Sequence, residues 1–575
     1  MAAGVLTAAL ETAGVASILP FMAIVMSPDV LVRYPQLAKV AGLVGAETWR
    51  EAVLFSGFAT GAIVAFGNAA RAAGGWLQWR FEAQVRHRLS SELLRAFLYA
   101  PYSLHTRRDA PSLMTAIGHN VNGVISNILG PVLAGASRAV MVLALLGVLA
   151  VQSATVAATA FVTLGVAYSL VFRMTRVRQS KLGERAHRAD YEWRLTSLEA
   201  FGGIKELTVL ERRETTSERF ANADRQIAEL YVSRKVTEAF PRQLLEVVTL
   251  ISILAVTIFL LGPDENGASA AIPTVTLYAF VGYRLMPGLQ QLYGCAMSLR
   301  YGMHAVRALR ADWMETGADS IPHSETQMSG FSFVDRIALT NVTFSYPGAT
   351  RPALTDISLD IRRGESIGLV GRTGAGKSTL ADLLLGLSEP DIGSVTVDGA
   401  ALTRASMFAW RRQVGYVAQH IFLANTSVCE NIAFGLRGED IDHDAVKAAA
   451  KLAQIDEFVE ALPLGYATVV GERGVRLSGG ERQRLGIARA LYARPSVLIF
   501  DEATSALDGL TEEAVMEAIQ HLSGERTVIL IAHRLRTLEA CDRLVLLDAG
   551  RVIAVGSFAE LTASSEAFAR FLARS

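Results

Sequence analysis

The stretch Gly368–Leu380, GLVGRTGAGKSTL, decides the reading of this 575-residue chain. An apolar run leads into a glycine-rich turn, and Lys377, Ser378 and Thr379 open a helical pattern, so the G-x-x-x-x-G-K-[ST] arrangement stands between a strand and a helix. Gly371, Gly374 and Gly376, with Thr373 and Ala375 between them, let backbone N–H groups surround phosphate oxygens. Lys377 brings positive charge toward the β- and γ-phosphates, and the Ser378 hydroxyl suits Mg²⁺. The expected element is a strand–loop–helix that binds a nucleoside triphosphate.

Further along, VLIFDEA ends an apolar strand in two carboxylates, Asp501 and Glu502. Consecutive strand residues point differently. Asp501 is therefore expected to support the Mg²⁺ shell, and Glu502 to orient or deprotonate the water that attacks the γ-phosphate. His533, in LIAHRL after another apolar run, could hold that phosphate and water, although a lone histidine at a strand end is more often structural. In LSGGERQRLGIARAL, Leu477–Leu491, Ser478, Gly479 and Gly480 open a helix. Hydroxyl, backbone N–H groups and helix dipole would all face an anion there, giving a second phosphate-binding surface.

Short β-branched runs such as IALTNVTFSY, SVTVDG and TVILIAH surround these motifs and alternate with helical stretches, the pattern of an α/β domain on a largely parallel sheet. Before about residue 300 the chain changes character. Six apolar segments approach the ~20 residues needed to span a bilayer, at about Ala3–Met26, Ala52–Ala73, Val124–Val151, Ala154–Phe172, Leu244–Leu261 and Ile272–Ala296. Long connections between them are rich in Arg and Lys, while QS near Gln152 and GPDENGAS after Leu261 carry none. The basic loops, and with them both termini, are expected on the cytoplasmic side. The first segment lacks a cationic leader region and is long enough to span, so it reads as a membrane helix; its abrupt start at Met1 suggests a late recorded start. Balanced charge, 55 Lys+Arg against 55 Asp+Glu, gives no basic field for nucleic acid, and Cys295, Cys429 and Cys541 lack metal or redox spacing.

Between the spans, apolar residues recur every three or four positions among charges, so the membrane helices are expected to continue into the cytoplasm. APYSLHTRRDAP and EAFGGIKEL interrupt that pattern with Pro or paired Gly and are expected to form turning tips around Pro101–Arg107 and Phe201–Glu206. The expected domains are 1–315 in the membrane, a polar linker 316–336, and 337–575 for the nucleotide.

From about Ile337 onward the sequence resembles the ATP-binding cassette family, and with six spans ahead of the cassette it looks like an exporter half-transporter: an all-α six-helix transmembrane domain followed by an α/β P-loop domain, the type IV exporter architecture. The resemblance implies that Tyr346 in FSYPG stacks on adenine and that Gln419 in YVAQ is the Q-loop glutamine, serving catalysis and Mg²⁺. It further implies that LSGGERQR is the signature motif, that SALD carries the D-loop Asp508, and that His533 is the switch histidine. VVGERG at Val469–Gly474 resembles the element that meets the loop tips in exporters. One cassette per chain then implies a dimer, and intact Glu502, His533 and signature favour a homodimer that hydrolyses ATP with Mg²⁺ at both sites. The implied mechanism is alternating access in a lipid bilayer, in a bacterial inner membrane.

Arg284 lies about 12 residues, roughly 18 Å, from the outer end of its segment, where a cation costs ~2.5–3.5 kcal/mol on insertion scales. Two readings stand side by side. Arg284 pairs with a carboxylate, Glu11 at comparable depth or Glu246 nearer the cytoplasm, or it lines a passage and attracts an anionic headgroup, joined by Arg138, Arg242 and Arg300. ETAGVASILPFMAIV, FGGIKELTVLERRE and GYRLMPGLQQL resemble stretches of bacterial lipid-linked oligosaccharide flippases, as does a long loop after the first span. That resemblance implies a polyprenyl-pyrophosphate glycan as cargo. The competing readings are export of hydrophobic drugs, peptides or other lipids, and a non-transport cassette ATPase, against which six spans argue.

Overall fold

The computed structural model describes residues 48–152, 154–261, 268–317, 333–404, 406–471, 474–501, 526–531 and 538–572, with scattered positions between 9 and 25. Two compact units divide the chain, one made of Met1–Ala100 with Arg107–Ile321, the other of Pro101–Thr106 with Pro322–Ser575.

The first unit is helical. Helix α1, Trp49–Leu98, starts at Thr48, whose side chain and that of Glu51 close a reciprocal capping box. It runs for 50 residues without a proline and stops before Pro101; the short helix that follows, α2, Tyr102–Arg107, forms a tip that belongs, up to Thr106, to the second unit. A third helical stretch builds from Ala110–Thr115 and Val121–Val124 into α3, Gly130–Gln152, through two π-helical turns at Ala116–Asn120 and Ile125–Leu129. Helix α4, Ala154–Gly202, breaks at Gly203, and α5, Ile204–Val209, forms the second tip. Helices α6, Arg213–Leu261, and α7, Ala268–Thr316, complete the unit. At 49 or 50 residues, α1, α4, α6 and α7 each extend far beyond the ~20 residues that a bilayer needs. The second tip lies where the paired glycines predict it.

Large apolar side chains face outward on α1, with Leu54, Phe58 and Phe66 all exposed, as expected of a surface that meets lipid. Close helix approach replaces a hydrophobic drive between helices in such a medium. A Cβ on Gly183 would lie 2.5 Å from the Tyr301 carbonyl oxygen, and one on Gly302 would lie 2.7 Å from Asn127 Cβ. Near the end of α7, buried Asp312 accepts from Arg108 Nη1 at 2.6 Å, and Arg108 Nε also lies 3.2 Å from Glu315. An arginine that follows the first tip thus ties the chain to α7 within this unit.

The second unit is built on two sheets. Strands β1 (Arg336–Phe344), β2 (Leu354–Arg362), β4 (Ile392–Val397) and β5 (Ala400–Ala401) make an antiparallel sheet in the order β2-β1-β4-β5. The other sheet, in the order β10-β9-β3-β8-β7-β6, contains β3 (Ser366–Gly371), β6 (Val414–Val417), β7 (Val497–Asp501), β8 (Thr527–Ile531), β9 (Arg543–Asp548) and β10 (Arg551–Gly556). All neighbours there are parallel except β10. Strands β3 and β8 are buried throughout, which is why SIGLVG and TVILI read as continuous apolar runs instead of alternating ones. One core, including Ile337, Leu359, Leu369, Leu380 and Trp410, joins the two sheets; a second, including Val446, Leu485, Leu498 and Leu544, fills the other face of the parallel sheet.

Candidate nucleotide site

Register places the site before any side chain is considered. Leu369 of β3 pairs with Ile531 of β8, Ile531 with Asp501 of β7, and Phe500 with Val417 of β6. Four parallel strands therefore finish at one level, and in an open α/β sheet ligands bind outside the carboxyl ends of the strands. Gly371, Asp501 and Gln419 stand at or just beyond those ends. Glu502 and His533 follow β7 and β8 in sequence but, with Asp508, lie outside the described residues.

After β3 the chain turns into helix α8, Lys377–Leu384. Two backbone positions require glycine. Gly371 has φ +152°, and a Cβ there would sit 2.3 Å from the Leu547 carbonyl oxygen; Gly376 has φ +101°, and its Cβ would meet Leu354 Cδ2 at 2.8 Å. Gly376 is the N-cap of α8, and no side chain caps the helix. A first turn without a side-chain cap can offer N–H groups to a ligand, beside exposed Thr373, Gly374 and Ser378, which fits a phosphate. Ala375 is buried, its N–H donating to Arg372 O at 3.0 Å and its carbonyl accepting from Gly550 N–H at 3.1 Å, so the loop is held in shape from both sides. Buried Lys377 donates from Nζ to the carbonyls of Gly371 at 2.7 Å and Arg372 at 3.1 Å, placing an ammonium inside the loop.

Tyr346 leans edge-on against Phe344, with ring centroids 5.1 Å apart, and keeps part of its surface exposed. Its hydroxyl lies 3.1 Å from Thr379 Oγ1 and donates to Asp382 Oδ2 at 3.4 Å. Burial, with Asp501 nearby, pushes the Asp382 carboxyl up to about 6. Tyr416, on β6, donates to Asp501 and is itself raised by burial. The donor set of the Ser378 hydroxyl and Asp501 carboxylate is made of hard oxygens, the chemistry that Mg²⁺ prefers. Gln419 is exposed at the end of the turn after β6.

The glycine-opened helix α9, Gly479–Tyr492, starts differently. Ser478 is its N-cap: Oγ accepts from Glu481 N–H at 3.2 Å, and Glu481 Oε2 accepts from Ser478 N–H at 2.8 Å. At the other end, Arg489 donates to the carbonyls of Phe422 (2.7 Å) and Asn431 (2.8 Å) and stacks over Phe434, with burial lowering it to about 10. It ties α9 to the segment that follows Gln419. Sequence reasoning missed both Arg489 and Asp382. Asp382 had one available signal, being the single acid of KSTLADLL, set among the apolar residues Leu380, Ala381, Leu383 and Leu384.

In the helical unit, Arg284 and Arg242 lie on α7 and α6, and their side chains are outside the described residues, as is Glu11. Arg300 is exposed on α7, sixteen residues beyond Arg284, or roughly 24 Å at 1.5 Å per residue. The two therefore lie at different levels along α7. Arg138 is half-buried on α3, its Nη1 3.5 Å from Met141 Sδ, and Glu246 is exposed on α6.

A family model described as ABC transporter matches residues 354–505, and another, described as ABC transporter transmembrane region, matches 33–286. The chain is 32% identical over 529 residues to an ATP-dependent lipid A-core flippase of Alkalilimnicola ehrlichii, spanning 90% of this chain and 86% of that one. It is 34% identical over 388 residues to the heterocyst differentiation ATP-binding protein HepA of a Nostoc species, spanning 67% of this chain and 62% of the relative. Among solved structures, a bacterial Atm1-family ABC exporter with ATP bound superposes with a TM-score of 0.84 at 24% identity, covering 99% of this chain and 97% of that chain, which establishes the shared fold.

Proposed function

The chain belongs to the ABC transporter family, and from that premise we propose that it moves a phosphate-bearing glycolipid across a bacterial inner membrane, most specifically a polyprenyl-pyrophosphate glycan. It is an integral membrane exporter that binds and hydrolyses ATP. The observation that carries the cargo class is the alignment, over 90% of the chain, with a relative named for flipping lipid A-core. Arg284 within an apolar segment supports an anionic headgroup, because a guanidinium suits bidentate phosphate contact. A lipid A-core type of cargo is the second reading, favoured by that same relative's name.

On this reading, the uncapped N–H groups of α8 and Lys377 hold the ATP phosphates, and Tyr346 receives the base. Ser378, Gln419 and Asp501 would hold Mg²⁺, which neutralises charge on the phosphates when bound. Glu502 orients or deprotonates the attacking water, and His533 steadies the γ-phosphate. Ser478, Gly479, Gly480 and Asp508 act across a homodimer, against ATP held by the partner's P-loop. The termini are cytoplasmic, with the membrane domain over 1–315, the linker over 316–336 and the cassette over 337–575.

ATP-dependent flipping in proteoliposomes tests this, with labelled polyprenyl-pyrophosphate oligosaccharide and a phosphorylated glycolipid as separate cargoes. Glu502→Gln should retain ATP binding and abolish flipping; Arg284→Ala should lower flipping more than basal ATPase activity. Flipping of neither lipid by protein that still hydrolyses ATP would move the cargo to drugs, peptides or other lipids.

A further inference from the structure

We propose that Asp382 is a positioning residue for nucleotide recognition, holding the Tyr346 phenol through a hydrogen-bonded chain and so fixing the face that this ring offers to the base. The inference rests on the reading of Tyr346 as the base-facing ring.

Tyr346 stands just beyond β1, before Pro347 and Gly348, in a turn where a partly exposed side chain has little else to restrict it. Phe344 supports one edge. The hydroxyl end is anchored on α8, the helix that opens the phosphate loop, by Thr379 at 3.1 Å and Asp382 at 3.4 Å. Base site and phosphate site are thereby joined through side chains 33 and 36 positions apart in sequence.

The donor inventory gives the chain a direction. A tyrosine hydroxyl has one proton, and an ionised carboxylate only accepts. Tyr346 therefore donates to Asp382, and the Thr379 hydroxyl donates to Tyr346. With Asp382 removed, the Tyr346 proton can turn toward Thr379, and the ring loses one of its two anchors. An ordered ring contributes to affinity by lowering the conformational freedom lost on binding. Loss of one such hydrogen bond corresponds to about a three- to tenfold effect.

Mg·ATP hydrolysis by the full-length protein in proteoliposomes, together with competition by inorganic tripolyphosphate, separates the base from the phosphates. Asp382→Ala should raise KM for ATP about three- to tenfold with kcat unchanged, and leave inhibition by tripolyphosphate unchanged. Asp382→Asn, which keeps an acceptor oxygen, should restore most of the affinity. Combined with Tyr346→Phe, Asp382→Ala should add little. Thermal melting of each variant reports folding independently. A parallel loss of tripolyphosphate affinity would overturn the proposal, since Asp382 would then act on the phosphate site; so would strictly additive effects of the two substitutions. Weaker ATP binding in Tyr346→Ala with a silent Asp382→Ala would overturn the anchor alone, whereas unchanged affinity in Tyr346→Ala would overturn the base-facing reading beneath it.

Discussion

Helices α8 and α9 both open with glycine and serine in anion-binding patterns, yet their N-termini are finished in opposite ways. Helix α8 begins at Gly376, in a left-handed conformation with no side-chain cap; α9 begins at Ser478 with both halves of a capping box in place. The first has no side chain covering its N–H groups, so a ligand or water can reach them. The second already uses the acceptor side of Ser478 and the Glu481 carboxylate, leaving the Ser478 proton and the N–H groups of Gly479 and Gly480 for an outside anion. One terminus has no side-chain partner at its first turn, and the other already satisfies part of its first turn with its own side chains.

The largest expected break in this contrast comes from Lys377→Ala, which removes the ammonium held inside the open loop. ATPase activity should fall by at least about a hundredfold, read in a steady-state assay, with folding retained by circular dichroism. Next is Gly376→Ala, which combines a backbone φ of +101° with a Cβ only 2.8 Å from Leu354. It should destabilise by about 1–3 kcal/mol in chemical denaturation and weaken ATP in equilibrium binding, because the same geometry shapes the open terminus.

Ser478→Ala strips the cap from the closed terminus and should lower stability by about 1 kcal/mol in denaturant titration. ATP affinity of the P-loop should stay near its original value while hydrolysis falls. Loss of ATP affinity equal to that of Gly376→Ala would erase the distinction between the two helices.

The smallest effect concerns pH. Asp382 sits at about 6, above the ordinary 3.8, so the folded chain binds this proton more tightly than the unfolded one. Its contribution is therefore unfavourable above pH ~6 and is relieved as pH falls from ~6 to ~4. Asp382→Asn should accordingly raise stability at pH 7–8 by on the order of 1 kcal/mol, discounted for partial solvent exposure, and by nothing near pH 4. Melting temperatures measured across that range check the sign.

Much of this architecture could be read from the chain. Lys377 and its glycines, the acid at the end of VLIFD, and the breaks at Pro101 and Gly202–Gly203 are local patterns with local causes. Ser478 and Glu481 also carry a legible capping-box spacing, but the helix reads equally as an anion site, and only the side-chain bonds show the cap closed. The link from Tyr346 to Asp382 spans 36 positions and leaves no periodic trace. Neither do the π-helical turns at Ala116–Asn120 and Ile125–Leu129, because one extra residue per turn disappears within a nearly continuous helical run. Arg489 reads as an ordinary late-helix cation until its carbonyl partners are seen.

Proline-free α1 and α4, at 50 and 49 residues, have a mechanical meaning apart from crossing the bilayer. Each is a lever arm of about 75 Å at 1.5 Å per residue. A swing of about 5° at one end sweeps the other through roughly 6 Å, more than the rise of a full helical turn. A helix of that length would turn an ångström-scale shift near its pivot into a stroke several times larger at its far end, with no proline along it to interrupt the backbone hydrogen bonds.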